Sequence, residues 1–225
     1  DFRVIEGNER VLKARLSDAS YFFENDISNT FENWNEKLKH VLFYESLGSL
    51  HDKIIRMANI SKIFAKDFGV KSELAKQAAI LSKADLVSEM VMEFPELQGI
   101  MGGHYAKIKN EHEEVTKAIF EHYKPKGFSD DLPETKLGSL LSMVDKIDTL
   151  VGFFSIDKKP TGSKDPFALR RNSFSIVQIL INFKINLSLN ELLEPSLKEY
   201  GCSSKSIKRN LIDFIIDKLK FVLSN

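Results

Sequence analysis

Cysteine is almost missing from this sequence: Cys202 is the one thiol in 225 residues. That excludes an intrachain disulfide and a zinc site built on several thiolates, and it fits a reducing compartment. Net charge is missing too, because 32 Lys and Arg are balanced by 32 Asp and Glu. The overall field is weak, so a polyanion site has to come from local clustering of cations. No apolar run approaches the roughly 18 residues of a membrane span. The longest, Phe174 to Leu187, is broken by Gln178, Asn182, Lys184 and Asn186. The polar start lacks the apolar stretch of a signal peptide. It begins at Asp1 without a Met, which reads as a cut from a longer protein.

What is there is ordinary globular composition, 43% hydrophobic and 28% charged, with 17 Phe to fill a core. Helical periodicity dominates. Val11, Leu12, Ala14, Leu16, Ala19 and Phe23 form a mostly apolar stripe. The pattern repeats over Phe31 to Phe43 and over Leu50 to Phe64, with Gly69 the natural residue to end the latter. Ser72 is a suitable N-cap for a long segment running to Val91, apolar nearly all round and therefore expected at the centre. Further helices are expected from Phe94-Pro95, over Glu111 to Tyr123 and over Thr135 to Phe154.

An irregular stretch, Ser155 to Asp165, follows. Asp165-Pro166 then reads as N-cap and first helical residue of a helix to about Phe183. Leu187 to Tyr200 and Ser204 to Leu223 complete the set. Only Phe2 to Ile5 and Phe183 to Leu189 show some β alternation. The expected fold is all-α: a multi-helix domain with flanking helical segments.

Four places could carry chemistry: His51, Ala84-Asp85, His104 and Asp145. Their order resembles the HD superfamily of metal-dependent phosphohydrolases, in which two imidazoles and two carboxylates hold a divalent ion that activates water. His51-Asp52-Lys53-Ile54 stands where the first motif would begin a helix. Ser82-Lys83-Ala84-Asp85 stands at the His-Asp pair, and Val144-Asp145-Lys146-Ile147-Asp148 matches the last motif. The pair needs His where this chain has Ala84, and a methyl group ligates nothing. With a ligand gone and the Lys83 ammonium beside it, no metal is expected. The plainer reading makes His51 a surface residue at a helix start and has Asp145 and Asp148 paired with Lys or Arg. Asp85, if buried, must find a donor. His104, His112 and His122 show no metal spacing.

Longer phrases resemble the β subunit family of bacterial-type glycyl-tRNA synthetases, in order along the whole chain. They are the run from Gly7 to Ala19, Leu47 to Lys53, Leu81 to Leu86, Glu93 to Gly102, Val144 to Leu150, and Lys159 to Arg171. The resemblance implies a β subunit of an α2β2 ligase that attaches glycine to tRNA-Gly. The α subunit would adenylate glycine with ATP and Mg, the β subunit would supply most tRNA contacts, and this fragment would hold no cofactor. It implies a cytoplasmic protein and no membrane partner.

Along the chain it implies the end of a body domain over 1–45 and a degenerate HD-like domain over 46–155. A basic loop and helical linker over 156–203 and the first helix of a truncated anticodon-binding domain over 204–225 would follow. RNA-contact candidates are Lys158, Lys159, Lys164, Arg170 and Arg171. Gly162 and Ser163 would let backbone N–H groups approach a phosphate, and the helix that follows adds a positive dipole end. Lys205, Lys208 and Arg209 form a second candidate set. Against these stand two alternatives: a rigid architectural domain without RNA contact, and an active phosphohydrolase using His51, Asp85, His104 and Asp145.

Overall fold

Hydroxyl and carboxylate side chains mark where the helices begin. Thr30 Oγ1 accepts from Asn33 N, and Thr135 Oγ1 accepts from Gly138 N. Ser49 with Asp52, and Ser188 with Glu191, form reciprocal capping boxes that satisfy otherwise orphaned N–H groups. The computed structural model describes residues 2–161 and 164–224. Within them run α1 (Phe2–Ser28), α2 (Phe31–Leu38), a hairpin of β1 (Leu42–Tyr44) and β2 (Gly48–Ser49), α3 (Leu50–Phe64) and α4 (Ser72–Leu81). A 3₁₀ turn (Ala84–Val87), α5 (Glu89–Glu93) and a second 3₁₀ turn (Pro95–Leu97) lead to α6 (Ile100–Ile108) and α7 (Glu113–Glu121). Then come α8 (Lys136–Ser155), α9 (Leu169–Asn182), α10 (Leu189–Glu199) and α11 (Lys205–Ser224). The protein is all-α apart from the one short antiparallel hairpin among the described residues.

The centre is α8. Seventeen of its twenty residues are buried, and α3, α4, α7, α9, α10 and α11 pack around it. One hydrophobic core runs from Phe31 and Trp34 through Met57, Ile60, Leu140 and Ile147 to Leu211 and Ile215. A helix buried on every side cannot solvate its polar residues, so Ser142, Asp145, Lys146 and Asp148 have to find partners inside the protein.

Several expectations need correction. The helix expected over Phe31 to Phe43 ends at Leu38, and Leu42–Tyr44 pairs with Gly48–Ser49 instead. The segment from Ser72 to Val91 is not one helix. It breaks after Leu81, because Lys83 and Asp85 leave the helical path to reach partners on α8 and α6. Lys71, not Ser72, occupies the N-cap there, without a side-chain cap.

Asp165-Pro166 does not open α9. The chain turns through Ala168 at φ 55°, and the Asp165 carboxylate reaches forward to accept from Leu169 N and Arg170 N at 2.8 and 2.9 Å. The β alternation over Phe2 to Ile5 is helix, and Phe183 to Leu189 forms no strand. On α1 the apolar stripe packs only at its end: Ala19 and Phe23 touch the core, while Val11, Leu12 and Leu16 are exposed.

Candidate functional site

The sequence places two cations three residues apart on α3, Lys53 and Arg56, and two carboxylates three residues apart on α8, Asp145 and Asp148. Residues at i and i+3 share a helix face. Packing α3 against α8 therefore brings both pairs together in the core. Lys53 Nζ lies 2.9 Å from Asp145 Oδ1 and 3.0 Å from Asp148 Oδ2. It also donates to Thr149 Oγ1 at 2.8 Å and to the Asp145 carbonyl at 3.2 Å. Arg56 grips Asp148 with Nε at 2.7 Å and Nη2 at 3.3 Å, and the Tyr200 hydroxyl donates to the same carboxylate at 3.1 Å.

The second arm of the cluster is Lys83. The break after α4 turns its ammonium inward, where it meets Asp145 Oδ2 at 2.6 Å and sits 3.8 Å from the centre of the Tyr123 ring. Both oxygens of Asp145 thus carry an ammonium. Burial pushes the Asp145 carboxyl up, but Lys53 and Lys83 outweigh it and hold the group well below the usual carboxylate range. Next to it, Lys146 Nζ donates to Ser142 Oγ at 2.7 Å and to the Lys124 carbonyl at 3.1 Å. Burial, reinforced by Lys83 and Lys53, brings its pKa down to about 8. His122 Nδ1 faces the Ile119 carbonyl at 2.6 Å and must donate, which leaves Nε2 an unmatched lone pair. Burial first, and then Lys83, depress its pKa well below the ordinary value, so the ring is neutral.

The five residues of the HD-like pattern are not brought together. His51 is half-buried in the first turn of α3. Ala84 is fully buried in the core. Asp85 is buried beneath α6, where Oδ2 accepts from Gly99 N at 2.6 Å and Gly102 N at 2.9 Å. A Cβ at Gly102 would stand 3.0 Å from that oxygen, so the close approach depends on glycine. Burial raises the Asp85 pKa to about 6, and its Oδ1 has no partner. His104 is exposed and packs edge-on against Phe120. Asp145 is engaged by Lys53 and Lys83. No group of three or more His, Cys, Asp or Glu side chains suited to a metal occurs among the described residues. The arrangement can hold helices in register and organise charge; it offers no open coordination position.

The RNA candidates are scattered more than their sequence clustering suggests. Lys159 is tied to Asp157 at 2.7 Å, and Arg170 Nη1 donates to the Lys164 carbonyl at 3.3 Å. Lys158, Lys164 and Arg171 are exposed. Lys208 pairs with Glu194 at 2.6 Å, Arg209 approaches Asp213 at 4.0 Å, and Lys205 is exposed. Gly162 and Ser163, the expected phosphate-contacting backbone, lie outside the described residues. Sequence patterning does not single out Arg56, Tyr200 or Tyr123; it sets His122 aside with the other histidines and places Lys53 only within the His51 motif. The matched spacing of cations on α3 and carboxylates on α8 was the available signal for Arg56 and Lys53; Tyr200 had none.

Fold and cluster together define an all-α protein that fills the middle of its helical core with ion pairs where a metal-dependent hydrolase would need open ligands. The particular family follows from comparison with known proteins. A family model described as glycyl-tRNA synthetase beta subunit matches residues 2–225. The glycine–tRNA ligase beta subunit of Rickettsia bellii (strain OSU 85-389) is 50% identical over 222 residues, covering 99% of this chain and 33% of that protein. Its counterparts from Coxiella burnetii (strain Dugway 5J108-111) and Chromohalobacter salexigens are 45% and 43% identical over 220 residues, each covering 97% of this chain and 32% of the relative. The chain belongs to the glycyl-tRNA synthetase beta subunit family. It spans about a third of the length of these curated relatives.

Proposed function

We propose that this chain is part of the β subunit of a glycine–tRNA ligase, contributing tRNA recognition and positioning to the ATP-dependent attachment of glycine to tRNA-Gly. The observation that carries the reading is the match of nearly the whole chain to that one family. In this reading the α subunit of an α2β2 assembly adenylates glycine using ATP and Mg, and these residues bind neither. Residues 46–155 then act as a degenerate HD-like domain, and 1–45, 156–203 and 204–225 as body end, linker and start of the anticodon-binding domain. The location is cytoplasmic, where charging takes place; no described helix is long and apolar enough to cross a membrane.

The buried cluster supports a scaffolding role over hydrolysis. Asp145, the carboxylate that a metal would need, has both oxygens occupied by ammonium groups. RNA contact is assigned to the exposed cations Lys158, Lys164, Arg171, Lys205 and Arg209, with the half-buried Lys159, Arg170 and Lys208 as flanking groups.

The test is a charging assay on tRNA-Gly with full-length subunits, wild type against Lys158→Glu combined with Lys164→Glu. The KM for tRNA should rise with little change in kcat. The salt dependence of tRNA binding should flatten by about one unit of slope for each phosphate that the variant no longer neutralises. Unchanged KM and slope would remove the assignment of RNA contact to this segment. Absence of glycine charging by the wild-type assembly would remove the functional reading itself.

A further inference from the structure

A cleft of about 460 Å³ opens beside the ion-pair cluster. Its floor is Asp145, Lys146 and Thr149 of α8, its walls are Tyr123 and Gln98, and its mouth carries Lys126, Arg171 and Asn172. The size is that of a site for a small molecule such as a nucleotide. The charges around it do not balance. Lys53, Arg56, Lys83 and Lys146 lie in or just behind the floor, all buried, against the two carboxylates Asp145 and Asp148. Lys126 and Arg171 add two cations at the mouth. The further carboxylates nearby are Asp130, which accepts from Lys126 N at 2.7 Å, Asp85, which is already bound by two backbone N–H groups, and Asp52, one turn from Arg56 on α3. Six cations face five carboxylates.

Donors are left over as well. The side chains of Arg171, Lys126, Asn172 and Gln98 carry no hydrogen bond or ion pair with any described residue. Lys146 has three N–H donors and uses two. Among the buried groups around the cleft, four cations (Lys53, Arg56, Lys83 and Lys146) face three carboxylates (Asp145, Asp148 and Asp85), and an anion in the cleft would offset that excess.

We propose that this cleft binds a phosphate group, with Arg171 and Lys126 clamping its oxygens at the mouth and Lys146 beneath. Arg171 supplies a planar pair of N–H donors suited to two phosphate oxygens, and Lys126 a point charge. The phosphate comes either from a free nucleotide or from an RNA backbone. The site does not depend on the ligase reading: a β subunit that supports charging normally while the cleft takes no phosphate would sink this inference alone.

The test uses the complete polypeptide that contains these residues, without a partner subunit. Inorganic pyrophosphate, ADP and a tRNA-Gly transcript are titrated separately and in competition, by calorimetry and phosphorus NMR. Lys126→Ala with Arg171→Ala should weaken phosphate binding by at least about tenfold, the scale of a lost charge-assisted hydrogen bond. Melting temperature should hold, since both side chains are exposed. Exposed Lys117, which pairs with Glu113 on α7, gives the control Lys117→Ala, which should bind like wild type. Displacement of tRNA by pyrophosphate, with tRNA binding weakened in the double variant, identifies RNA as the source. ADP binding that leaves tRNA affinity untouched identifies a free nucleotide. If pyrophosphate and ADP fail to bind at millimolar concentration while the double variant holds tRNA as tightly as wild type, the proposal is wrong. It is equally wrong if binding survives the double substitution undiminished.

Discussion

Lys83 holds its ammonium nitrogen 2.6 Å from Asp145 Oδ2, across 62 residues of sequence and at the middle of the helical core. With Lys53 on the other oxygen, this pair turns a carboxylate that could have served a metal into the hub of a buried salt-bridge cluster. Buried ion pairs of this kind contribute little net stability compared with apolar packing, but removing one partner is costly because the other charges stay behind.

Asp145→Ala should therefore lower unfolding stability by about 3–5 kcal/mol, the range for an orphaned buried charge. Combining it with Lys83→Met should recover part of the loss, because one of the stranded ammoniums goes too. Urea denaturation of both variants checks the coupling. Depression of the Asp145 pKa gives the sign with pH. Its contribution is complete above the unfolded value of about 4 and is lost as pH falls through the lower folded value. A double variant no more stable than the single would show that the two groups are not coupled.

Asp85 behaves oppositely. Its folded pKa of about 6 lies above the unfolded value, so between about 4 and 6 the native state holds a proton that the unfolded chain releases. Stability from this group falls as pH rises through that window. Asp85→Asn removes the titration, so the variant should gain on wild type between about pH 4 and 6. Melting temperatures in a pH series read this directly. Parallel curves would mean that Asp85 does not titrate there.

Metal analysis should find no stoichiometric manganese, iron or nickel after dialysis against each ion. Ala84→His should not create a site while Lys53 and Lys83 occupy both oxygens of Asp145. Plasma mass spectrometry decides this; a stoichiometric ion in the wild-type protein would overturn the scaffold reading of the cluster.

Asp26 ties α1 to the rest of the fold. Its carboxylate accepts from Glu89 N at 2.9 Å, Met90 N at 3.0 Å and the Tyr105 hydroxyl at 2.6 Å. Asp26→Ala should cost about 1–3 kcal/mol by leaving buried donors unmatched. Tyr105→Phe, which leaves two of the three bonds in place, should cost less. Hydrogen exchange at Glu89 and Met90 should quicken in the first variant and change little in the second.

Much of the molecule was written in local order. Periodicity and capping residues are properties of a few neighbouring positions, so α3, α8, α10 and α11 are legible within a residue or two from Ser49, Thr135, Ser188 and the apolar spacing that follows them. That Ala84 offers no metal ligand is also local, because a methyl group coordinates nothing. Which groups surround Asp145 was not local information. The break after Leu81, the inward turn of Lys83, the arrival of Tyr200 from the end of α10 and the cleft under Arg171 each depend on which helices pack against α8. Burial then decides the chemistry: an ammonium that would be solvated on an exposed helix must find a carboxylate, as Lys53 and Lys83 do, or a hydroxyl and a carbonyl, as Lys146 does, once tertiary packing has removed the water.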